Sequence, residues 1–129
     1  MRVLLDTHIF LWLVSGDPKL PREVAEVVRD PVSEIFLSPV SVWEAVVKYG
    51  LGKLPLPAVP EVYLPEQRRR HRIKSLPLDE NSVARLGALP SLHRDPFDRM
   101  LICQALEHDL AIASEDAVVR AYPVRLLPT

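Results

Sequence analysis

"RVLLDTHIFLWLVSGDP", residues 2–18, carries the pattern on which the fold reading turns. "RVLL" is a short apolar run that stops at Asp6, as a buried strand does at its carboxyl end. "THIFLWLV" follows without a spacer and crowds Ile9, Leu11, Trp12 and Leu13 as a buried helix would. Ser15-Gly16-Asp17-Pro18 ends it. A strand running directly into a helix is half of a βαβ unit, so the rest of the chain is read for more of the same.

It is there. "PREVAEVVRD" (21–30) has valines at helical spacing, and "EIFLS" (34–38) is a second buried strand. Ser41 is placed to cap a helix over "VWEAVVKYGLG", with Glu44 at its third position and two glycines at its end. Pro55, Pro57, Pro60 and Pro65 predict turns around a brief helix that leads into "EQRRRHR". "IKSLPL" (73–78) is a weak strand, and Asp79 caps "ENSVARLGAL". "HRDPFDRM" (93–100) opens a helix running to about His108. "LAIAS" (110–114) is a third strong strand, "EDAVVRAY" a short helix and "VRLL" (124–127) a last strand. Strands that alternate with helices predict an α/β fold with a mainly parallel sheet.

The 129 residues suit one domain, 1–129, large enough to hold a core without staples. The single Cys103 lies in an apolar run and reads as a small core residue, which fits a reducing cytoplasm. Sixteen basic and seventeen acidic residues give a net charge of −1, so bulk charge does not bind nucleic acid here; a local patch or bound cations would have to. No apolar stretch is long enough to cross a membrane. Asp6 and His8 interrupt the apolar start, and no small-residue cleavage site follows, which reads against a secretory leader.

The acids have structural readings of their own. Asp95 is a good N-cap, Pro96 suits the first helical position, and Asp98 at the third favours the positive helix end. Glu44 pairs with Ser41 in a capping box or with Lys48 one turn on. Asp6 solvates a strand end, and Asp116 caps the short last helix. Yet in open α/β sheets ligands bind beyond the carboxyl ends of the strands, and Asp6, Glu44, Asp98 and Asp116 all fall on connections at that edge or on helix starts that can face it. Four converging carboxylates repel unless a divalent cation neutralises them, and Mg²⁺ and Mn²⁺ prefer oxygen ligands. One Cys and four scattered His offer no zinc spacing.

"LLDTHIFLWL", "SVWEAVVKYGLGKL", "HRDPFDRMLICQAL" and "IASEDAVVRAY", in that order, resemble the PIN-domain ribonucleases, and more closely the VapC-type toxins of toxin–antitoxin pairs. The resemblance spans essentially the whole chain. It implies a three-layer α/β/α sandwich around a central, mainly parallel sheet of four to five strands. It implies an endoribonuclease dependent on Mg²⁺ or Mn²⁺ that leaves a 5′-phosphate and a 3′-hydroxyl. By motif, Asp6, Glu44, Asp98 and Asp116 are the catalytic and metal-binding acids, supported by Asp95 and Ser114. An antitoxin, homodimers or higher assemblies, and a cytoplasmic setting are implied too. The apolar faces of "IFLWLV" and "VWEAVVKYGL" are candidate interfaces.

Around these acids, Arg94 and Arg99 are candidate phosphate contacts or charge balance for Asp95 and Asp98. Arg68, Arg69 and Arg70 form a phosphate-contacting edge or a solvated helix face. His8 reads as a hydrogen-bonded histidine at the sheet edge, and Trp12, Trp43 and Phe97 as core. Two rival functions stand beside this one: a Mg²⁺-dependent nuclease or phosphatase acting on DNA or on nucleic-acid ends, which shares the acids, and a non-catalytic partner-binding subunit, in which the acids serve as caps.

Overall fold

The apolar run before Asp6 forms strand β1 (Arg2–Leu5), and in the computed structural model, which describes residues 1–129, that strand is the middle of the sheet. β2 (Glu34–Leu37) pairs with one side of it and β4 (Ala111–Ala113) with the other. β3 (Lys74–Ser75) and β5 (Leu126–Leu127) are the two edges, giving the order β3-β2-β1-β4-β5 with every pairing parallel. Val3 stands opposite both Ile35 and Ala111, and Leu4 opposite both Phe36 and Ile112. A strand covered on both faces needs apolar residues in succession, which is why "VLL" does not alternate with polar residues.

Successive side chains of β1 enter different layers. Val3 and Leu5 join Ile9 and Phe10 of α1 (Thr7–Ser15), Val24 of α2 (Arg22–Arg29) and Leu64 of α4 (Pro60–Arg70). Leu4 joins Leu101, Ile102 and Ala105 of α6 (Pro96–Glu107), with Tyr122, on the other face. The result is the α/β/α sandwich, with all five strands parallel. Cys103 is fully buried in the second core, as its apolar setting predicts.

Local differences have local causes. α3 (Pro39–Gly50) starts earlier than predicted: Ser38, at the end of β2, caps it by accepting the Val40 N–H at 3.0 Å, and Pro39 takes the first helical position. Ser41 is therefore a buried residue of the first turn, and Glu44 sits in the second turn, not in a capping box. α4 continues through Pro65 into the basic run, longer than the expected brief helix. α5 (Glu80–Ala84) is capped by Asp79 and tightens into a 3₁₀ turn over Arg85–Gly87. The last helix shrinks to a 3₁₀ turn at Val119–Ala121, with Asp116 accepting the N–H groups of Val118 and Val119.

One core assignment and one interface assignment change. Trp43 is 57% exposed, although its neighbours Glu44 and Ala45 are buried, because it lies on the outer face of α3, in a T-shaped contact with Phe97. "IFLWLV" is not a free face: Ile9, Phe10 and Leu11 are in the core, and Trp12, Leu13 and Val14 pack against it. On α3, Trp43, Val46 and Val47 stay exposed.

Candidate metal centre

The chain goes from β1 to β2 on one side and later returns to β4 on the other, so the crevice beyond the carboxyl end of β1 is a topological switch point. Each acid predicted for the site arrives there from its own element. Asp6 ends β1, with its N–H on the Ala113 carbonyl at 3.0 Å, and caps α1 by accepting the Ile9 N–H at 2.8 Å. Glu44 comes from α3, Asp98 from the first turn of α6, and Asp116 from the loop after β4.

Asp6 and Glu44 form an enclosed half, only 5% and 2% exposed. Thr7 Oγ1 donates to Glu44 Oε1 at 2.6 Å and lies 3.0 Å from Ser41 Oγ. The Lys48 ammonium, one turn along α3, pairs with Glu44 Oε2 and lies 3.9 Å from Asp95 Oδ2. Burial pushes the Asp6 carboxyl up to about 6, with Glu44 and Asp116 adding repulsion, against hydrogen bonds from Ser114 and the Ile9 amide. Ser114 thus supports Asp6, and its Oγ also accepts the Asp116 N–H at 3.1 Å.

Asp98 and Asp116 form an outer half. Asp95 is the N-cap of α6, accepting the N–H groups of Phe97 at 2.8 Å and Asp98 at 3.1 Å, which is the structural reading of "DPFD". The Asp98 carboxyl is pushed up to about 7 by burial first, then by Asp95, Glu44 and Asp6; His93 opposes this. Asp116 is held below the usual carboxylate range: burial raises it, but the amides of Val119 and Val118 and the His93 ring outweigh that.

His93, which the sequence reading did not single out, belongs to this half. Its Nε2 lies 2.9 Å from Asp98 Oδ2 and 3.5 Å from Asp116 Oδ2. One donor atom from each of the three falls within 4.8 Å of the others. No periodicity could have flagged His93, since it sits in a loop; the available signal was a histidine two residues before a capping aspartate in a motif already rich in carboxylates.

The arginines divide. Arg99 is committed to the fold, its Nη1 donating to the Pro90 carbonyl at 3.0 Å and to Tyr122 Oη at 3.2 Å. Arg94 is exposed and lines a cavity of about 400 Å³ with Trp43, Pro96 and Met100. Arg68 donates to the Ile73 carbonyl and faces a separate cavity of about 510 Å³ beside Trp43, while Arg69 and Arg70 lie exposed at the end of α4. His8 is exposed and lines a cleft with Asp6, Trp12 and Asp116 rather than making the hydrogen bond expected of it.

The donors suit a hard divalent cation. Carboxylate oxygens dominate, two of the acids are raised by crowding and burial, and a nitrogen of His93 is shut off from solvent with no hydrogen-bond partner. A cation among them would relieve the repulsion and give that nitrogen a partner.

Residues 3–124 match the family described as PIN domain. The chain belongs to the PIN-domain family. As a PIN domain it is similar to Ribonuclease VapC22 of Mycobacterium tuberculosis, 26% identical over 121 residues that cover 93% of this chain and 91% of that protein. It is 37% identical to Ribonuclease VapC16 of the same organism over 62 residues, 48% of this chain and only 44% of that relative. Its structural neighbours include toxin–antitoxin complexes. With VapBC2 from Rickettsia felis, solved bound to a promoter DNA fragment, this PIN domain shares a TM-score of 0.71 at 15% identity, over 98% of this chain and 97% of that one.

Proposed function

We propose that this PIN domain is a Mg²⁺- or Mn²⁺-dependent endoribonuclease that acts as the toxin of a toxin–antitoxin pair. The observation that carries the reading is the convergence of Asp6, Glu44, Asp98 and Asp116, from four separate elements, on the crevice beyond β1, with two of them held well above the ordinary carboxylate range. The toxin assignment leans on the likeness to VapC22, which spans nearly the whole chain.

Asp6 and Asp98 are the principal cation-holding residues in this reading, and Asp116 completes the set. Such a cation supplies Lewis acidity toward the scissile phosphate and lowers the pKa of its water. Glu44, fixed by Thr7 and Lys48, orients the attacking water from the enclosed side. Arg94, exposed and next in sequence to His93 and Asp95, contacts a neighbouring phosphate in this reading. The same carboxylates are a receptor for a basic side chain of an antitoxin, since guanidinium groups pair well with them. A second copy fits the exposed apolar face of α3 at Trp43, Val46 and Val47.

The test is RNA cleavage by the purified chain with Mg²⁺ or Mn²⁺ against EDTA, beside Asp6→Asn and Asp98→Asn, with single- and double-stranded DNA in parallel. Metal-dependent RNA cleavage lost in both variants is the expected outcome. Wild-type cleavage rates in Asp6→Asn would sink the assignment, and cleavage of DNA alone would move the activity to another substrate.

A further inference from the structure

We infer that His93 is a nitrogen ligand of this cation site, forming a three-donor face with Asp98 and Asp116 and tilting the site toward Mn²⁺ over Mg²⁺. The inference rests on the reading of the acidic cluster as a cation site. The spacing of the donors is the first argument. Two ligands about 2.1 Å from one ion at right angles are about 3 Å apart. His93 Nε2 is 2.9 Å from Asp98 Oδ2 and 3.5 Å from Asp116 Oδ2.

The second argument is what those short distances are not. Nε2 is closed to solvent, yet it is not aligned on Asp98 Oδ2 for a hydrogen bond although that oxygen lies 2.9 Å away. The Nε2 axis therefore points away from that oxygen, as it does when both atoms face a common third centre. A buried nitrogen left this way in a cluster of carboxylates calls for a ligand.

The ring is also placed from behind. Tyr122 Oη, buried in the second core, accepts the N–H groups of Leu92 at 3.1 Å and His93 at 2.9 Å, and Arg99 donates to it from the side. Nδ1 faces the Asp95 N–H at 3.4 Å, the outer limit of a hydrogen bond. Ligation through Nε2 leaves the ring proton on Nδ1 and releases that contact. An imidazole among carboxylates favours a transition-metal ion more than it favours Mg²⁺.

The experiment is Mn²⁺ and Mg²⁺ binding to the full chain by calorimetry, with pulsed EPR of the bound Mn²⁺, on wild type, His93→Ala, His93→Gln and His8→Ala. The expected results are a ¹⁴N coupling in wild type that is kept in His8→Ala and lost in both His93 variants. Mn²⁺ affinity should fall about tenfold or more in His93→Ala, the scale on which even outer-shell partners matter. Mg²⁺ affinity should fall by less than about threefold. Bound Mn²⁺ without a ¹⁴N coupling, or a coupling that survives in His93→Gln, overturns the inference. So does tighter Mn²⁺ binding in His93→Ala, which would make the imidazole a competitor of the cation. A folded chain that binds neither ion overturns the cation site itself, a different failure from loss of the histidine alone.

Discussion

The two halves of the acidic crevice are built by different means. Asp6 and Glu44 sit on the end of the central strand and inside a helix, nearly sealed from solvent, each with fixed protein donors: the Ile9 amide and Ser114 for one, Thr7 and Lys48 for the other. Asp98 and Asp116 sit at a helix start and in a loop, more open, and share a histidine from a second loop. The enclosed half is organised before anything binds. In the outer half Asp116 has its amides, but Asp98 is a carboxylate that the protein itself partners poorly, and this is where an added cation has most to neutralise. The division suggests where substitutions will act on chemistry and where on stability.

The largest effect is expected in the outer half. Asp98→Asn keeps the shape of the side chain and its place in the first turn of α6 but removes a charge from the proposed cation site. The rate of RNA cleavage should fall on the order of 10³-fold, several kcal/mol of charge stabilisation. The same variant should leave the chain at least as stable as wild type in EDTA at pH 8, because a poorly partnered carboxylate has gone. Single-turnover kinetics and urea unfolding on one preparation test both. Retained activity, or a large loss of stability, would erase the distinction between the halves.

In the enclosed half the order reverses. Lys48→Met leaves Glu44, 2% exposed, without its ion-pair partner. Stranding a buried charge costs several kcal/mol, and because Lys48 itself is partly exposed about 2–3 kcal/mol is expected. Glu44→Gln in the same chain should recover most of that loss, so a double-mutant cycle by urea unfolding isolates the pair. Additive losses would show that Lys48 acts elsewhere.

A pH series separates the halves without mutation. Asp6 is held at about 6 and Asp98 at about 7, against 3.8 for an ordinary aspartate. Between those values the folded chain holds protons that the unfolded chain has released, so stability falls as pH rises from about 4 to 7 and levels off above. Asp116, shifted the other way, contributes only below that window. In EDTA the loss should be roughly 1–3 kcal/mol between pH 5 and 8. Mn²⁺ should restore it, and Asp98→Asn should remove its upper part. A flat profile would mean that the carboxylates are better partnered than their geometry indicates.

Much of this was legible in the chain, for reasons tied to particular residues. The strands stand out because burial on both faces demands runs such as "VLL" and "AIA", and Asp6 marks a strand end by breaking one. The helix start at Asp95 was legible because caps act over two or three residues. Ser38 was missed as the cap of α3 because two serines, 38 and 41, precede the same apolar stretch and only the end of β2 decides between them. Trp43 was misplaced because a single large apolar residue carries no record of which face it takes. His93 was invisible to periodicity: its role depends on Asp116, more than twenty residues away and on another strand's loop, and on Tyr122 beyond that.

The smallest effect tests the loop that carries His93. Tyr122→Phe keeps the ring in the second core but takes away an acceptor shared by two amides and the Arg99 guanidinium. The loop lies partly in water, which can take over those bonds, so about 1 kcal/mol of stability should be lost, the net worth of a typical hydrogen bond. The sharper reading is hydrogen exchange. The amides of Leu92 and His93 should exchange faster, while that of Ile9, capped by Asp6 in the enclosed half, should keep its protection. A faster Ile9 amide would show that the two halves move as one body, and the contrast between a preset inner site and an adaptable outer one would fail. Unchanged exchange throughout would show that Arg99 and the cap at Asp95 hold the loop without the hydroxyl, leaving His93 positioned by α6 alone.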